Sequence, residues 1–240
     1  MSSRLHDLVV DSLGGRIVAG DLRAGATMMA VDVESELGVS RSVVREAVRV
    51  LQSLGLVESV RRVGIRVRPE ADWNVFDPAV IRWRLASDRR GSQLRSLTEL
   101  RAAVEPAAAE LAAVHAAGPL ATELLATAER MADAGRDRDP VAFLELDIRF
   151  HALVLAASGN EMFASLADAI GEVLRGRTEH GLMPAQPHED TLRLHLEVAA
   201  AIGDHRPDLA RTAMERIMRR TAGELDAAWT DVPRAAAPRA

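Results

Sequence analysis

An aspartate and a histidine are spaced one helical turn apart in the stretch LELDIRFHALVLAAS, residues 144–158. Four positions separate Asp147 from His151, so a helix presents both on the apolar face that also carries Leu144 and Leu155. Burying an ionisable pair costs free energy unless partners satisfy it. Because a carboxylate and an imidazole on one face can share a divalent ion, metal binding is the chemistry that this spacing indicates.

Two further helical faces are interrupted by polar residues. Arg101 stands among Leu97 and Val104, and His195 follows Thr191 on a face rich in leucine, valine and isoleucine. Helix bundles build ligand sites from inward-facing side chains of different helices. The sequence therefore predicts His195 as a third metal ligand, and it predicts Arg101 and Thr191 as residues that bind a carboxylate effector.

Each of these residues also has a simpler interpretation. A single histidine on an apolar face is often a core residue that bonds a carbonyl group. Asp147 and His151 also have the spacing of an ordinary i,i+4 pair. Arg101 has a candidate ion-pair partner in Glu105, four positions further along the chain. The other histidines are predicted to be structural or on the surface, with His180 and His188 as candidates to line the pocket.

The composition is that of a globular protein. Of 240 residues, 48% are hydrophobic and 27% are charged, and there is no cysteine, which excludes disulfides and thiolate metal sites. No apolar run approaches the roughly 20 residues that span a bilayer, and no signal-peptide pattern is visible. We therefore expect a cytoplasmic protein without a membrane partner.

The net charge of −5 hides a basic segment, because seven arginines and two glutamates lie between Ser40 and Arg68. The sequence predicts three helices here: one over Arg4–Val18, a short one in DVESELG and one capped by Ser40. Two strands follow in VESVRRVGIRVRP. The tight turn at LGVS is typical of a helix-turn-helix. The strands, joined around Arg61–Gly64, form a wing.

Three arginines mark the polar side of the helix that follows Ser40. Arg41, Arg45 and Arg49 recur at i, i+4 and i+8, which suits a recognition helix in the major groove, where arginine pairs with guanine. The alternative is a solvated basic face of an ordinary surface helix. The turn, the serine cap and the arginine-rich wing together favour DNA binding.

The chain is predicted to be mostly α: a winged helix-turn-helix domain with a small β-wing over residues 1–69, a linker over 70–92, an all-helical bundle over 93–230 and a disordered tail over 231–240. Within the bundle, periodicity and Gly or Pro breaks predict helices at 93–117, 119–134, 140–157, 160–179, 189–203 and 207–228. Linker residues Trp73, Phe76 and Trp83 are placed to pack between the domains, either transmitting a signal or simply forming an interdomain core.

Both halves resemble a known family. The first half resembles the winged helix of GntR-family bacterial regulators in the stretch GVSRSVVREAVRVLQSLGLVESVRRVGIRV. The second half is similar to the all-helical effector domain of the FadR-type subfamily in the stretches ELRAAVEPAAAELAA, FLELDIRFHALVLAASGN and HLEVAAAI. The linker WNVFDPAVIRWRL is similar to regulators of sugar-acid catabolism of the galactonate type. The resemblance implies DNA contacts by Arg41 and Arg45 and a wing tip at Gly64 in the minor groove.

Ser42, Arg49 and Arg61 complete the predicted DNA-contacting set. Many relatives carry a further arginine near the start of the second helix, where this chain has Val31. The corresponding contact is therefore missing, or it is supplied by Arg49 or Arg61.

The resemblance also implies a metal site, because many effector domains of this subfamily hold an ion with one aspartate and three histidines. Asp147, His151 and His195 match three of these ligands, and Ile217 stands at the fourth. Either zinc, nickel or manganese is held by three ligands with positions open to water or effector oxygens, or the pocket works without metal.

These features predict a homodimeric repressor that binds a pseudo-palindromic double-stranded DNA operator and responds to a small carboxylate effector such as a sugar acid. One alternative is a metal-free regulator that senses an acyl or other organic acid. Another is a metal-dependent enzyme with Arg101 as substrate clamp, which is disfavoured because no general base stands out and the winged unit would have no role. The identity of the effector and of the operator stays open.

Overall fold

The computed structural model describes residues 2–182 and 188–229, and the chain divides into two compact units between Gln93 and Leu94. The predicted tail at 231–240 lies outside the described residues. The predicted fold class is confirmed: a winged helix-turn-helix with a small sheet precedes a helical bundle. No helix in the described ranges combines the length and the apolar character needed to cross a bilayer.

The first unit is built around its third helix. Its elements are α1 (Ser2–Ala19), β1 (Thr27–Met28), α2 (Ala30–Leu37), α3 (Arg41–Ser53), β2 (Val57–Val60), β3 (Gly64–Val67), a 3-10 turn (Glu70–Asp72) and α4 (Pro78–Leu85). α3 buries Val44, Ala47, Val48 and Leu51, and α1 packs against both α3 and α4. The apolar face of α3 therefore fixes its arginine-bearing face towards solvent.

The wing is part of a three-stranded antiparallel sheet in the order β1-β3-β2. Glu58 on β2 lies opposite Arg66 on β3, and the two form an ion pair at 2.7 Å. β1 was not predicted, because a strand of two residues is too short to show alternation.

Trp73 and Trp83 lie in the core of the first unit, where they are 9% and 8% exposed. The Trp83 indole packs directly over Gly14 of α1, where an added Cβ would lie 2.2 Å from the ring, and its N–H donates to Asp11 at 3.2 Å. Phe76 is 53% exposed. The two tryptophans thus serve the core of one unit, which corrects the prediction that they pack between domains.

Gly55, between α3 and β2, has a φ of 76°, and an added Cβ would lie 2.1 Å from the backbone oxygen of Asp72. We expect Gly55→Ala to destabilise the first unit by about 3 kcal/mol, because left-handed strain adds to the displacement of backbone atoms. Gly20→Ala is the matched control, since Gly20 has a φ of 90° with no atom within 4 Å of an added Cβ. It should cost only about 1 kcal/mol. Chemical denaturation measures both, and equal losses would contradict the prediction.

The second unit contains only helices in the part of the chain described. They are α5 (Arg90–His115, which begins in the first unit), α6 (Gly118–Asp137), α7 (Pro140–Ala157), α8 (Glu161–Ala164), α9 (Ala167–Glu179), α10 (Glu189–Gly203) and α11 (Pro207–Trp229). The predicted single helix at 160–179 is wrong, because α8 ends at Ala164. There the Ser165 hydroxyl donates to the carbonyl of Met162 and competes with helix continuation.

The bundle places α7 and α10 centrally. α6 packs against both, α9 packs against α7, and α11 packs against α10. Gly135 of α6 allows a close approach of Leu192 on α10, whose methyl carbons would lie 2.9 Å from an added Cβ. Residues of α5, α7, α9, α10 and α11 line the cavity described next.

Candidate functional site

The start of α7 is fixed by its N-cap residue, Asp139. The Asp139 side chain accepts hydrogen bonds from the backbone N–H groups of Val141 and Ala142, and Pro140 occupies the first turn. This start places Asp147 and His151 on the buried side of the helix, where they are 5% and 1% exposed. Both side chains are therefore buried in the bundle, as their position on the apolar face predicted.

Asp147, His151 and His195 converge in the bundle, as the sequence predicted. Each offers one ligand atom, and these atoms lie within 4.8 Å of one another. The Nε2 atoms of both histidines lie 3.3 Å from Oδ1 of Asp147. One buried carboxylate and two imidazoles form a donor set that suits zinc and other divalent transition ions.

His195 is held in the tautomer that a metal ligand requires. Its Nδ1 lies 2.7 Å from the carbonyl oxygen of Thr191, which can only accept, so Nδ1 carries the proton. The Nε2 atom is buried and has no hydrogen-bond partner among the described residues. It lies 3.3 Å from Oδ1 of Asp147, so in the neutral ring its lone pair faces a carboxylate oxygen, an arrangement that a proton or a metal ion stabilises.

His151 is oriented by Glu105, a residue that the sequence analysis considered only as an ion-pair partner of Arg101. Oε2 of Glu105 lies 2.5 Å from Nδ1 of His151, and Oε1 lies 2.5 Å from Nε of Arg101. Arg101 in turn donates from Nη2 to Nε2 of His151 at 3.1 Å. A carboxylate behind a ligating imidazole is the usual outer-shell arrangement of metal sites. Its sequence signal was Glu105 lying one turn after Arg101 on the same face.

The buried charges have shifted pKa values. Burial raises the pKa of Glu105, but the facing Arg101 and His151 outweigh it and lower that pKa to about 2. Burial likewise raises the pKa of Asp147, and the two facing histidines hold it well below its ordinary value. Burial lowers the pKa of His151, yet the charge of Glu105 raises it overall. Both carboxylates are therefore ionised at neutral pH.

The cavity that these residues line measures about 70 Å³. Ile217 of α11, 4% exposed, forms part of its wall, so an apolar side chain stands beside the cluster. α9 and α11 add charged groups that sequence reasoning did not identify: Arg177, Arg220 and Glu224. Arg177 was missed because no apolar face of its helix is interrupted by a single polar residue.

Of the predicted effector residues, Arg101 and Thr191 both line the cavity. Nη1 of Arg101 is buried without a hydrogen-bond partner among the described residues. His180 and His188 do not line the cavity; they lie at the end of α9 and just before α10. His205 bonds the carbonyl of Ala113 at 2.9 Å, a structural role.

The predicted DNA-contacting residues of α3 share its exposed face: Arg41, Ser42, Arg45 and Arg49. Glu46 lies on that face too, and Nη1 of Arg49 donates to its two carboxylate oxygens at 3.0 and 3.1 Å. Ser40 occupies the N-cap position, but its hydroxyl contacts that of Ser42 at 2.9 Å and makes no capping hydrogen bond. Exposed pairs of this kind are weak and yield readily to phosphate.

In the wing, the exposed turn consists of Arg61, Arg62 and Val63. Gly64 begins β3 with a φ of 107°, and an added Cβ would lie 2.6 Å from the backbone oxygen of Met28. Gly64 therefore serves the close approach of β1, and the projecting tip is formed by the residues before it. Val31, at the position of the missing arginine, is 62% exposed on α2.

Comparison with known proteins gives matches for both units. Residues 5–67 match the bacterial regulatory proteins of the gntR family, and residues 96–220 match the FCD domain. The galactonate operon transcriptional repressor of Escherichia coli is 32% identical over 89% of this chain and 93% of its own. A probable D-xylose utilization operon transcriptional repressor of Paenarthrobacter nicotinovorans is 28% identical over 89% and 84%.

One similar solved structure is that of Lar, which controls expression of the Listeria monocytogenes agr system. The match covers 92% of this chain and 95% of the Lar chain. It has a TM-score of 0.59 at 17% identity. At that identity the likeness supports the fold alone.

Proposed function

Because this chain belongs to the GntR family of bacterial regulatory proteins and carries an FCD domain, we propose that it is a repressor released from DNA by a small hydroxy-carboxylate bound with a divalent metal ion. Family membership makes the chain a DNA-binding transcription regulator and not an enzyme. The effector, the metal and the direction of regulation are the parts proposed here.

One observation carries the metal assignment: Nε2 of His151 and Nε2 of His195 both lie 3.3 Å from Oδ1 of the buried carboxylate of Asp147. The Thr191 carbonyl fixes the tautomer of His195, and Glu105 orients His151. A core histidine with no further role would use both of its ring nitrogens or expose one. This arrangement favours a ligand set over the simpler interpretation of two core histidines.

A bound divalent ion supplies positive charge and Lewis acidity towards carboxylate and hydroxyl oxygens. His151 would hold the ion through Nε2, the atom that accepts from Nη2 of Arg101 at 3.1 Å, and Nη2 of Arg101 would then be available to a ligand. That guanidinium can then donate to an effector carboxylate. A hydroxy acid fits this set because its oxygens can meet both groups. The galactonate operon repressor is a relative whose name points to a sugar acid.

The regulatory part of the proposal is a homodimer whose two winged units bind the half-sites of a pseudo-palindromic operator. Effector binding lowers operator affinity only if the effector binds the DNA-free form more tightly than the DNA-bound form. The homologous repressors support this direction.

The test is an operator-binding titration with galactonate, carried out on metal-loaded and chelator-treated protein. Release only in the loaded sample supports the proposal. Release that survives chelation would replace it with the metal-free sensor, which the apolar side chain of Ile217 favours. Turnover of the acid at catalytic amounts of protein would contradict a sensor altogether.

Arg45→Ala should weaken operator binding by about 1–3 kcal/mol, because Arg45 projects from the exposed face of α3. A base contact would relax specificity at one position, whereas a phosphate contact would reduce the slope of log affinity against log salt by about 1. Arg219→Ala is the control, since Arg219 is 69% exposed on α11 in the other unit. Fluorescence anisotropy at several salt concentrations measures both, and equal losses would remove α3 from the interface.

A further inference from the structure

The cavity has a second cationic side, formed by Arg177 of α9. Arg177 is 3% exposed, and its Nη2 donates to Oε2 of Glu224 at 3.0 Å. Its Nε is buried and has no hydrogen-bond partner among the described residues. A buried guanidinium N–H that lines a cavity without an acceptor is an incomplete hydrogen-bond site, which an anionic oxygen of a ligand completes.

Arg177 and Arg101 line the same cavity. Burial lowers the pKa of Arg177 to about 10, the charge of Arg101 contributes to this lowering, and the charges of Asp147 and Glu224 oppose it. Each guanidinium keeps one buried N–H without an acceptor among the described residues: Nη1 of Arg101 and Nε of Arg177. A bundle does not gain stability by directing two such cations at one cavity, so the arrangement serves a ligand.

The charge balance of the cavity indicates the charge of that ligand. Among the buried groups, two guanidiniums (Arg101 and Arg177) face two carboxylates (Asp147 and, behind Arg101, Glu105), while the partly exposed Arg220 pairs with Glu224 and with the exposed Asp190. Histidines that ligate a metal ion are neutral, so a divalent ion held by this cluster would leave an excess of two positive charges. A monocarboxylate cancels half of that excess, whereas a dicarboxylate cancels all of it.

We infer that the effector is a dicarboxylic hydroxy acid, with one carboxylate at the Asp147, His151 and His195 cluster and the second received by Arg177. This inference rests on the proposed function and narrows its ligand class. It departs from the monocarboxylate that the galactonate operon repressor suggests by its name. Arg177 is the residue that discriminates diacids from monoacids.

Two matched ligand pairs test the inference on the full chain loaded with zinc or manganese. Galactarate and galactonate differ only in whether carbon 6 is a carboxylate or an alcohol, and tartrate and threonate differ likewise at carbon 4. Isothermal titration calorimetry should show at least a tenfold preference for the diacid in one pair or both. Equal affinities in both pairs, or no binding by any acid to metal-loaded protein, would overturn the inference.

Arg177→Gln combined with Glu224→Gln removes the buried cation and its partner together, and Arg220, which loses Glu224, keeps Asp190 as an ion-pair partner at 3.8 Å. This variant should keep its metal content and its unfolding temperature while the preference for the diacid falls below threefold. A preference that persists in the variant would overturn the role of Arg177. Failure of the proposed function has a different signature, because the wild-type chain would then bind no metal at all.

Discussion

His195→Ala should lower metal affinity by about 100-fold or more and abolish effector-dependent release from the operator. The substitution removes the Nε2 lone pair that lies 3.3 Å from Asp147. Changes in residues behind a metal ligand already cost about 10–100-fold, so loss of a ligand from a set of three costs at least as much. Operator affinity of the effector-free protein should be unchanged, because His195 lies in the second unit and the arginines of α3 in the first.

The measurement is the metal content of the purified protein by mass spectrometry, followed by a competition titration with a chelator. His115→Ala is the control, since His115 is an exposed histidine at the end of α5 and does not line the cavity. About one ion per chain in the wild type and in the control, and none in His195→Ala, is the expected result. A variant that retains its ion, or that still leaves DNA on addition of effector, would contradict the site assignment.

Ile217→His should restore a fourth protein ligand and raise metal affinity at least about tenfold, since even outer-shell changes alter affinity by that factor. Ile217 is buried and lines the same cavity as Asp147, His151 and His195, so we expect an imidazole at this position to reach the ion. The added ligand also fills a coordination position that the effector would use. We therefore expect tighter metal binding together with a weaker response to effector.

Ile217→Leu is the matched control, because it keeps the volume and the apolar character of the side chain. Its metal affinity and effector response should equal those of the wild type. Competition with a chelator gives the metal affinity, and circular dichroism verifies that each variant is folded. An unchanged affinity in a folded Ile217→His protein would place position 217 outside ligand reach and refute the prediction.

The sequence by itself determined the helices and the faces they bury. Periodicity and Pro or Gly breaks predicted α7 at Pro140–Ala157 and α10 at Glu189–Gly203 with the bounds that the structure has. They also separated the arginines of α3 from its apolar face. These features are local, because a helix fixes which residues share a face from spacing alone. The family resemblance, confirmed by the comparisons, follows from the same local patterns.

The boundary between α8 and α9 was missed for a local reason of a different kind. The chain leaves the helical conformation for only two residues, Ser165 and Leu166, and hydrophobic periodicity carries no sign of so short an interruption. Trp83 was misplaced because its partner is Gly14, far away in the chain, where only the absence of a side chain makes room.

Only the tertiary structure decided which further polar side chains meet around the predicted cluster. Arg101 reaches His151 across 50 positions and Arg177 reaches Glu224 across 47, and no spacing rule extends over such distances. Sequence reasoning accordingly found the isolated polar residues of α5, α7 and α10, but not the role of Glu105 behind His151 or the cationic wall of α9. Spacing reveals which side of a helix is buried, whereas helix packing selects the side chains that become neighbours. The charge and shape of the cavity therefore emerge only when the helices are assembled.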